Sequence, residues 1–423
     1  MQFSKWITLG FGALCLVAVA GVLRAQHLYY MAAILLTLPG VSYLLGWYAL
    51  RGLDFVREIP SNAWEGEVGA LSYAVTNRTR FSRFFLSIHE SLPEWIAPQD
   101  VEPPLFNAPG GDVTQVSHPV TFKRRGVYRV HAFDVTAMDP LGVFAFSRRV
   151  PADSELVVYP LPRPLSGTPV SGAERYGWQE FMSVALRGSG VDPDGVRPYT
   201  PGDPLRRIHW RQTARTNRLA VIEFEEPQAV NLAIALDTQR GTEVGSGTET
   251  TLEYGVRLAA SVTDQALRQG ACVRFIAAVD DGAEPDFRSI FVDASHIGRG
   301  QEQYYRILDA LARVEADADR AVSTVIANWS VEIPRGMSML VITAQADPEL
   351  PSAVAALTGQ GMRVTVVYVD PASFVSARTL ASQSKSKEFL ADLVGVGANV
   401  FSLARHPDGD LVPEEIQNAI VRA

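Results

Sequence analysis

Two uncharged apolar runs open this chain, and no other feature narrows its possible folds as much. Trp6 to Leu23 is an 18-residue stretch without a charge; Arg24, Ala25, Gln26 and His27 interrupt it, and Leu28 to Leu50 adds 23 more uncharged residues. At ~1.5 Å rise per residue, helices of these lengths span roughly 27 and 34 Å, enough to cross a hydrocarbon core. Neither run has the polar face that a soluble helical pair needs. Between them lies no A-x-A cleavage site, and a second full-length span follows, which disfavours a cleaved signal peptide. Pro39-Gly40 is tolerated because lipid-embedded helices find other partners for a freed carbonyl. Two transmembrane helices within residues 1–53, forming a hairpin, are therefore expected. The connecting loop carries Arg24, whereas Lys5, Arg51 and Arg57 flank the outer ends. That asymmetry predicts a two-pass protein of the inner (plasma) membrane, with both termini and the soluble domains in the cytoplasm.

At 423 residues the chain is too long for one ordinary domain. A net charge of −8 argues against a general nucleic-acid binder, which needs a broad basic surface. Its two cysteines, Cys15 and Cys272, are too far apart in sequence for a CxxC site and fit a reducing compartment. Over residues 54–165 short strand patterns alternate with turns: Val68 to Val75, Phe84 to His89, Val116 to Phe122, Arg125 to Val130 and Leu156 to Pro160. Asn77 to Arg80 and Asp139-Pro140-Leu141-Gly142 punctuate them. This predicts a β-rich, sandwich-like module without a catalytic constellation.

The next segment, 166–228, is a linker that ends in an arginine-rich signature. From Arg197 to Arg218 it holds six arginines against one acid, Asp203. Asp203-Pro204 has the chemistry of a helix start, with a capping carboxylate and a proline at the first helical position. If a helix follows, Arg207, Arg211 and Arg215 share a face, with Leu205 and Ile208 toward the core and His209 and Trp210 at its margin. Three like charges on one face need an anionic counterpart. Glu223, Glu225 and Glu226 could supply it internally, or a partner, phosphate or lipid headgroup externally. A catalytic use of His209 as general acid or base, beside an acid such as Asp203, is the third possibility, with no nucleophile or metal motif close by.

The pattern formed by Gly195, Arg197, Tyr199, Pro201-Gly202-Asp203, Arg206, Arg207, Ile208-His209-Trp210, Arg211 and Ala214-Arg215 resembles the signature of domain of unknown function 58. Arg124 to Tyr128, Asp139 to Phe144 and Val158-Tyr159-Pro160 are similar to segments that commonly precede it. The resemblance implies a protein linked with MoxR-type AAA+ ATPases, with transglutaminase-like proteins and with von Willebrand factor A-like domains. It implies a role in assembling or activating other components, and no particular reaction.

Residues 229–423 alternate strand and helix patterns. Asn231 to Asp237, Cys272 to Val279, Met337 to Thr343, Val364 to Val369 and Asn399 to Leu403 read as strands; Thr250 to Gln269, Glu302 to Val314 and Lys387 to Val394 read as helices. A doubly wound, mostly parallel α/β sheet follows, with Asp237, Thr343 and Asp370 at strand carboxyl ends, where such sheets bind ligands. The layout is similar to a von Willebrand factor A fold, whose adhesion motif Asp-x-Ser-x-Ser binds Mg²⁺. Here it becomes Asp237-Thr238-Gln239-Arg240-Gly241, which keeps the aspartate and loses both serines. No carboxylate occupies the later acidic position near Thr343-Ala344-Gln345, so Asp237 is a degenerate candidate for Mg²⁺ and no cofactor is expected. Nucleotide-binding glycine loops and a GxSxG elbow are absent. The expectation is a membrane-anchored binding and assembly protein, with a metal-dependent adhesion module or an unrecognised enzyme using His209 as alternatives.

Overall fold

The computed structural model describes residues 2–23, 26–99, 104–139, 142, 144–163, 193–200, 208–216, 218–224, 231–278, 296–330, 337–375, 380–406, 411 and 413–415. The chain divides into two compact units, Met1–Tyr159 and Pro160–Ala423.

The first unit begins with helices α1 (Gln2–Leu23) and α2 (Gln26–Ala49). Among the described residues α2 alone is long and apolar enough to cross a membrane. Nine strands follow: β1 (Leu53–Glu58), β2 (Asn62–Trp64), β3 (Val68–Asn77), β4 (Arg83–Glu90), β5 (Ile96–Pro98), β6 (Phe106–Ala108), β7 (Val113–Phe122), β8 (Gly126–Met138) and β9 (Ala145–Tyr159). They form two sheets, ordered β1-β3-β7-β5 and β2-β9-β8-β4-β6. In β3 every second residue from Leu71 to Val75 is buried, and in β8 the same holds from Phe133 to Ala137. These inward faces meet Val120, Phe122, Leu86 and Ile88 in one shared core.

That core holds one polar staple. Arg57 on β1 reaches across to the other sheet, where its guanidinium pairs with Glu90 on β4 and donates to the carbonyls of Val130 and Ala152. Tyr73 on β3 donates its hydroxyl to the second Glu90 oxygen. The side chains of Arg57 and Glu90 are 0% and 3% exposed. A charge removed this far from water persists only when paired and hydrogen-bonded, as Arg57 is.

The second unit contains a two-stranded ladder of β10 (Pro193–Pro198) and β11 (Ala220–Phe224), with the short helix α3 (Trp210–Thr216) between them in sequence. Its larger sheet runs in the order β15-β12-β16-β17-β18-β19: β12 is Asn231–Leu236, β15 Cys272–Ala277, β16 Ser338–Thr343, β17 Arg363–Val369, β18 Asn399–Leu403 and β19 Pro413–Glu415. The first five strands are parallel, and β19 closes the edge antiparallel to β18. β13 (Gly245–Ser246) and β14 (Glu249–Thr250) form a small hairpin before α4 (Thr251–Arg268). The other helices are α5 (Gly300–Arg313), α6 (Val322–Trp329), α7 (Leu350–Gly359) and α8 (Leu380–Gly395).

The strands of the parallel sheet are apolar nearly throughout because both faces are covered. Ala233, Val341 and Val366 share a core with residues of α6, α7 and α8. On the other face α4 comes so close at Gly255 that a Cβ there would lie 3.0 Å from Leu236 and 3.3 Å from Ile342. β12 and β16 are neighbours although β15 comes between them in sequence. Successive connections therefore leave β12 in opposite directions, which opens a crevice at the carboxyl ends of β12 and β16.

Candidate functional site

Two groups of side chains in the second unit stand out, one at that crevice and one in the arginine-rich signature.

At the crevice Asp237 follows the last residue of β12 and is 7% exposed. Thr343, at the end of β16, donates its hydroxyl to one carboxylate oxygen at 2.7 Å; the backbone N–H of Gln239 donates to the other at 3.1 Å. Burial is the main cause that raises the Asp237 pKa. The two hydrogen bonds oppose it, and the charge of Asp347 adds to the rise. Asp347 is itself 6% exposed. One of its oxygens accepts from the Glu349 N–H at 3.0 Å, while the other is buried with no hydrogen-bond partner among the described residues.

An acid, Asp347, stands two residues beyond Gln345. The loop after β16 turns at Gln345, whose N–H bonds Thr343 Oγ1, and Asp347 beyond it is near enough for its charge to add to the rise in the Asp237 pKa. Thr238 is 1% exposed, and its hydroxyl is directed to the Ala278 carbonyl. Arg240 is drawn off to a neighbouring loop, donating to the Asp317 carbonyl at 3.0 Å with Asp319 at 3.8 Å. Asp370 accepts from the Ala372 N–H as the cap of a 3-10 turn. Among the described residues no three His, Cys, Asp or Glu side chains gather around a common point.

In the signature, Arg197 lies on β10 opposite Val221 of β11, and the N–H of Tyr199 extends the ladder to the Leu219 carbonyl at 2.9 Å. Gly202, Asp203, Arg206 and Arg207 lie outside the described residues, as do Glu225 and Glu226. Ile208 is 5% exposed and makes a bridge to Val221, so the chain is still extended there. The helical face expected for Arg207, Arg211 and Arg215 is accordingly shorter, since α3 starts at Trp210 and holds only the last two.

The start of α3 is organised by His209. Its Nδ1 accepts from the Gln212 N–H at 3.1 Å, taking the part that Ser or Asp usually plays at an N-cap. Its own N–H donates to the Ala220 carbonyl at 2.8 Å, and Thr213 Oγ1 accepts from the Ala220 N–H at 3.1 Å. Helix and ladder are clamped together by these bonds. Trp210 remains 66% exposed. Arg211 and Arg215, one turn apart, are also exposed and have no ion-pair partner among the described residues.

This geometry separates a capping from a proton-transfer role for His209. His209→Ala should cost about 1 kcal/mol through the lost cap, whereas His209→Asn, whose amide oxygen can cap, should recover most of it. Both are read from thermal unfolding of the second unit's transition. A complementation assay in which Asn serves as well as His would exclude proton transfer at this position.

Of the comparisons with known proteins, one points to a family, over part of the chain. No curated protein matches the chain. A protein of unknown function from Porphyromonas gingivalis W83 aligns at 13% identity over 26% of this chain and 48% of its own, with a TM-score of 0.19. The Vibrio cholerae VesB protease aligns at 14% identity over 28% of this chain and 34% of its own, with a TM-score of 0.18. Escherichia coli alpha-2-macroglobulin aligns at 9% identity over 80% of this chain and 17% of its own, with a TM-score of 0.22. The chain therefore spans at most about half of the first two. Residues 195–372, which begin at the arginine signature and run through β17, match the family described as "Protein of unknown function DUF58".

Proposed function

We propose that this is a membrane-anchored binding protein that works with a MoxR-type AAA+ ATPase in the assembly or activation of other proteins. The face of α3 carries the proposal. An exposed tryptophan followed by two exposed arginines on one short helix is the composition of interface hot spots. Because His209 and Thr213 clamp the helix to its ladder, little backbone freedom is lost when a partner binds there. The anchor is α2, with α1 as a second pass, which puts the soluble units on the cytoplasmic side of the inner membrane. The α/β sheet fits a von Willebrand factor A-like domain, a frequent carrier of protein-binding sites. A transglutaminase-like protein is a further partner that the family resemblance implies.

Charge reversal tests this directly. Arg211→Glu with Arg215→Glu should reduce recovery of the ATPase at least tenfold, in affinity capture of the full-length chain from mild detergent, with circular dichroism unchanged. Undiminished capture by the folded double variant would remove the α3 face as the contact.

A second reading rests on the crevice. Asp237, Thr343 and the unpartnered oxygen of Asp347 could donate to a divalent cation whose remaining positions are filled by water. Calorimetric titration of the full chain with Mg²⁺ and Mn²⁺, giving heat that Asp347→Asn abolishes, would favour it. Absence of heat would dismiss it.

A further inference from the structure

We propose that the loop joining β3 to β4 is a contact for anionic lipid headgroups, which seats the first unit on the bilayer crossed by α2. The proposal rests on the reading of α2 as a membrane span.

Covalent continuity fixes where this loop lies. α2 ends at Ala49, and the Arg78 N–H bonds the Gly52 carbonyl at 3.0 Å. Arg83 donates to the Arg51 carbonyl at 3.3 Å, and its guanidinium stacks 4.0 Å from the Tyr48 ring. Arg51 likewise covers Trp47 at 3.5 Å. On the reading of α2 as a span, Trp47 and Tyr48 near its end mark headgroup depth, and the loop packs beside them.

What the loop presents there suits the site. Arg80 and Phe81 are exposed, Phe81 by 68%. Phe84 and Phe85 are exposed too, though adjacent strand residues normally point to opposite faces. A bulge between Arg83 and Leu86 produces this, and it holds Phe85 at φ +55°, the left-handed region that bulky residues avoid. Such strain is maintained only where the surroundings enforce it. The loop is also rigid by construction. The fully buried Asn77 amide donates to the carbonyls of Phe81 and Ala108, each at 2.9 Å, while its oxygen accepts from the Thr79 N–H and hydroxyl.

A fixed loop that projects phenylalanines into water is unfavourable unless another phase receives them. Arginine beside phenylalanine matches the boundary between acyl chains and anionic headgroups. Against Arg51, Arg78, Arg80 and Arg83 stand Asp54, which pairs with Arg78, and Asp112 at the loop base. The local sign is positive within an acidic protein.

The test uses the full-length chain, with Cys15→Ser and Cys272→Ser, reconstituted in phosphatidylcholine nanodiscs with and without phosphatidylglycerol. An environment-sensitive fluorophore is placed at Ser82→Cys, and at Ser61→Cys, beyond the far end of β1, as reference. In anionic discs the label at 82 should brighten and be quenched by nitroxide lipids, while that at 61 stays in water. Arg78→Glu with Arg80→Glu should abolish the signal, each arginine lost lowering the docked fraction about fivefold. A label at 82 that remains water-exposed in anionic discs would overturn the contact, as would equal quenching in neutral ones. Alkaline carbonate extraction of native membranes separates the two levels. A chain that washes off loses both the span and this contact; a chain that stays, with an unquenched loop, loses the contact alone.

Discussion

Glu90→Ala should open the first unit more than any other single truncation among its described polar residues, by about 3–5 kcal/mol. The reason is what it leaves behind. Arg57 would keep its charge at a site with no access to water, and Tyr73 would lose the acceptor for a fully buried hydroxyl. Burial, followed by the bond to Glu90 and its charge, raises the Tyr73 pKa, so the phenol stays protonated and needs that acceptor. Hydrogen exchange of β3, β4 and β8 amides in the full chain isolates this unit, because the partners lie on those strands or oppose them. Replacing the whole staple, as Arg57→Met, Tyr73→Phe and Glu90→Met together, should recover at least half of the loss, since apolar residues of similar volume often substitute for a buried ion pair. A triple variant as unstable as Glu90→Ala would mean that the staple holds the two sheets by more than charge compensation.

Arg57 also marks the limit of what could be read from the sequence. Counted along the chain, it is a flanking cation that helps orient the membrane helices. Folded, it occupies the inward position of β1, a strand with no apolar alternation because Asp54, Arg57 and Glu58 interrupt it. Conversely, Arg78 and Arg80, which read as a polar turn, are returned to the end of α2 by the β1-β3 pairing. Strands and helices with clean periodicity were legible: β3, β7, β12, β17, β18 and α4 fall within a few residues of the positions their patterns predict. The helices α6 and α7 were not. Each is short, and α7 begins Leu350-Pro351, which reads as a break in sequence but suits the first turn of a helix.

The same contrast holds at the candidate sites. Asp237 was visible because an acid ending an apolar run signals the carboxyl end of a buried strand. Asp347 was not, because a motif compares fixed spacings, whereas a loop that turns at Gln345 can bring a charge to bear on Asp237 from two residues further on. In the signature, Asp203-Pro204 suggested a helix start, after which Arg207, Arg211 and Arg215 would share a face. The bridge of Ile208 to Val221 keeps the chain extended, and the side chain that caps the helix is a histidine, a residue outside the usual capping set.

Asp237 yields the second large effect, and there the choice of substitution decides the sign. Asp237→Ala removes the acceptor of the Gln239 N–H and one of the two acceptors of the Thr343 hydroxyl, in a place largely screened from water. A loss of about 2 kcal/mol follows for the second unit. Asp237→Asn keeps one acceptor oxygen and removes the charge that burial penalises, so its stability at neutral pH should equal or exceed the native value. The pH dependence gives the independent check. With its pKa raised in the folded state, Asp237 holds a proton that the unfolded chain has already released. Its contribution is therefore fully present below the ordinary carboxylate range and is lost as pH rises through the folded value. Unfolding followed from acid to neutral pH should show a decline in the native chain that Asp237→Asn flattens. A cation bound at the crevice would reverse the comparison, because Mg²⁺ would stabilise the native chain at neutral pH and leave Asp237→Asn unchanged. If Asn proves as damaging as Ala without added metal, charge relief does not decide the outcome, and the full set of carboxylate hydrogen bonds to Thr343 and Gln239 is what this position supplies.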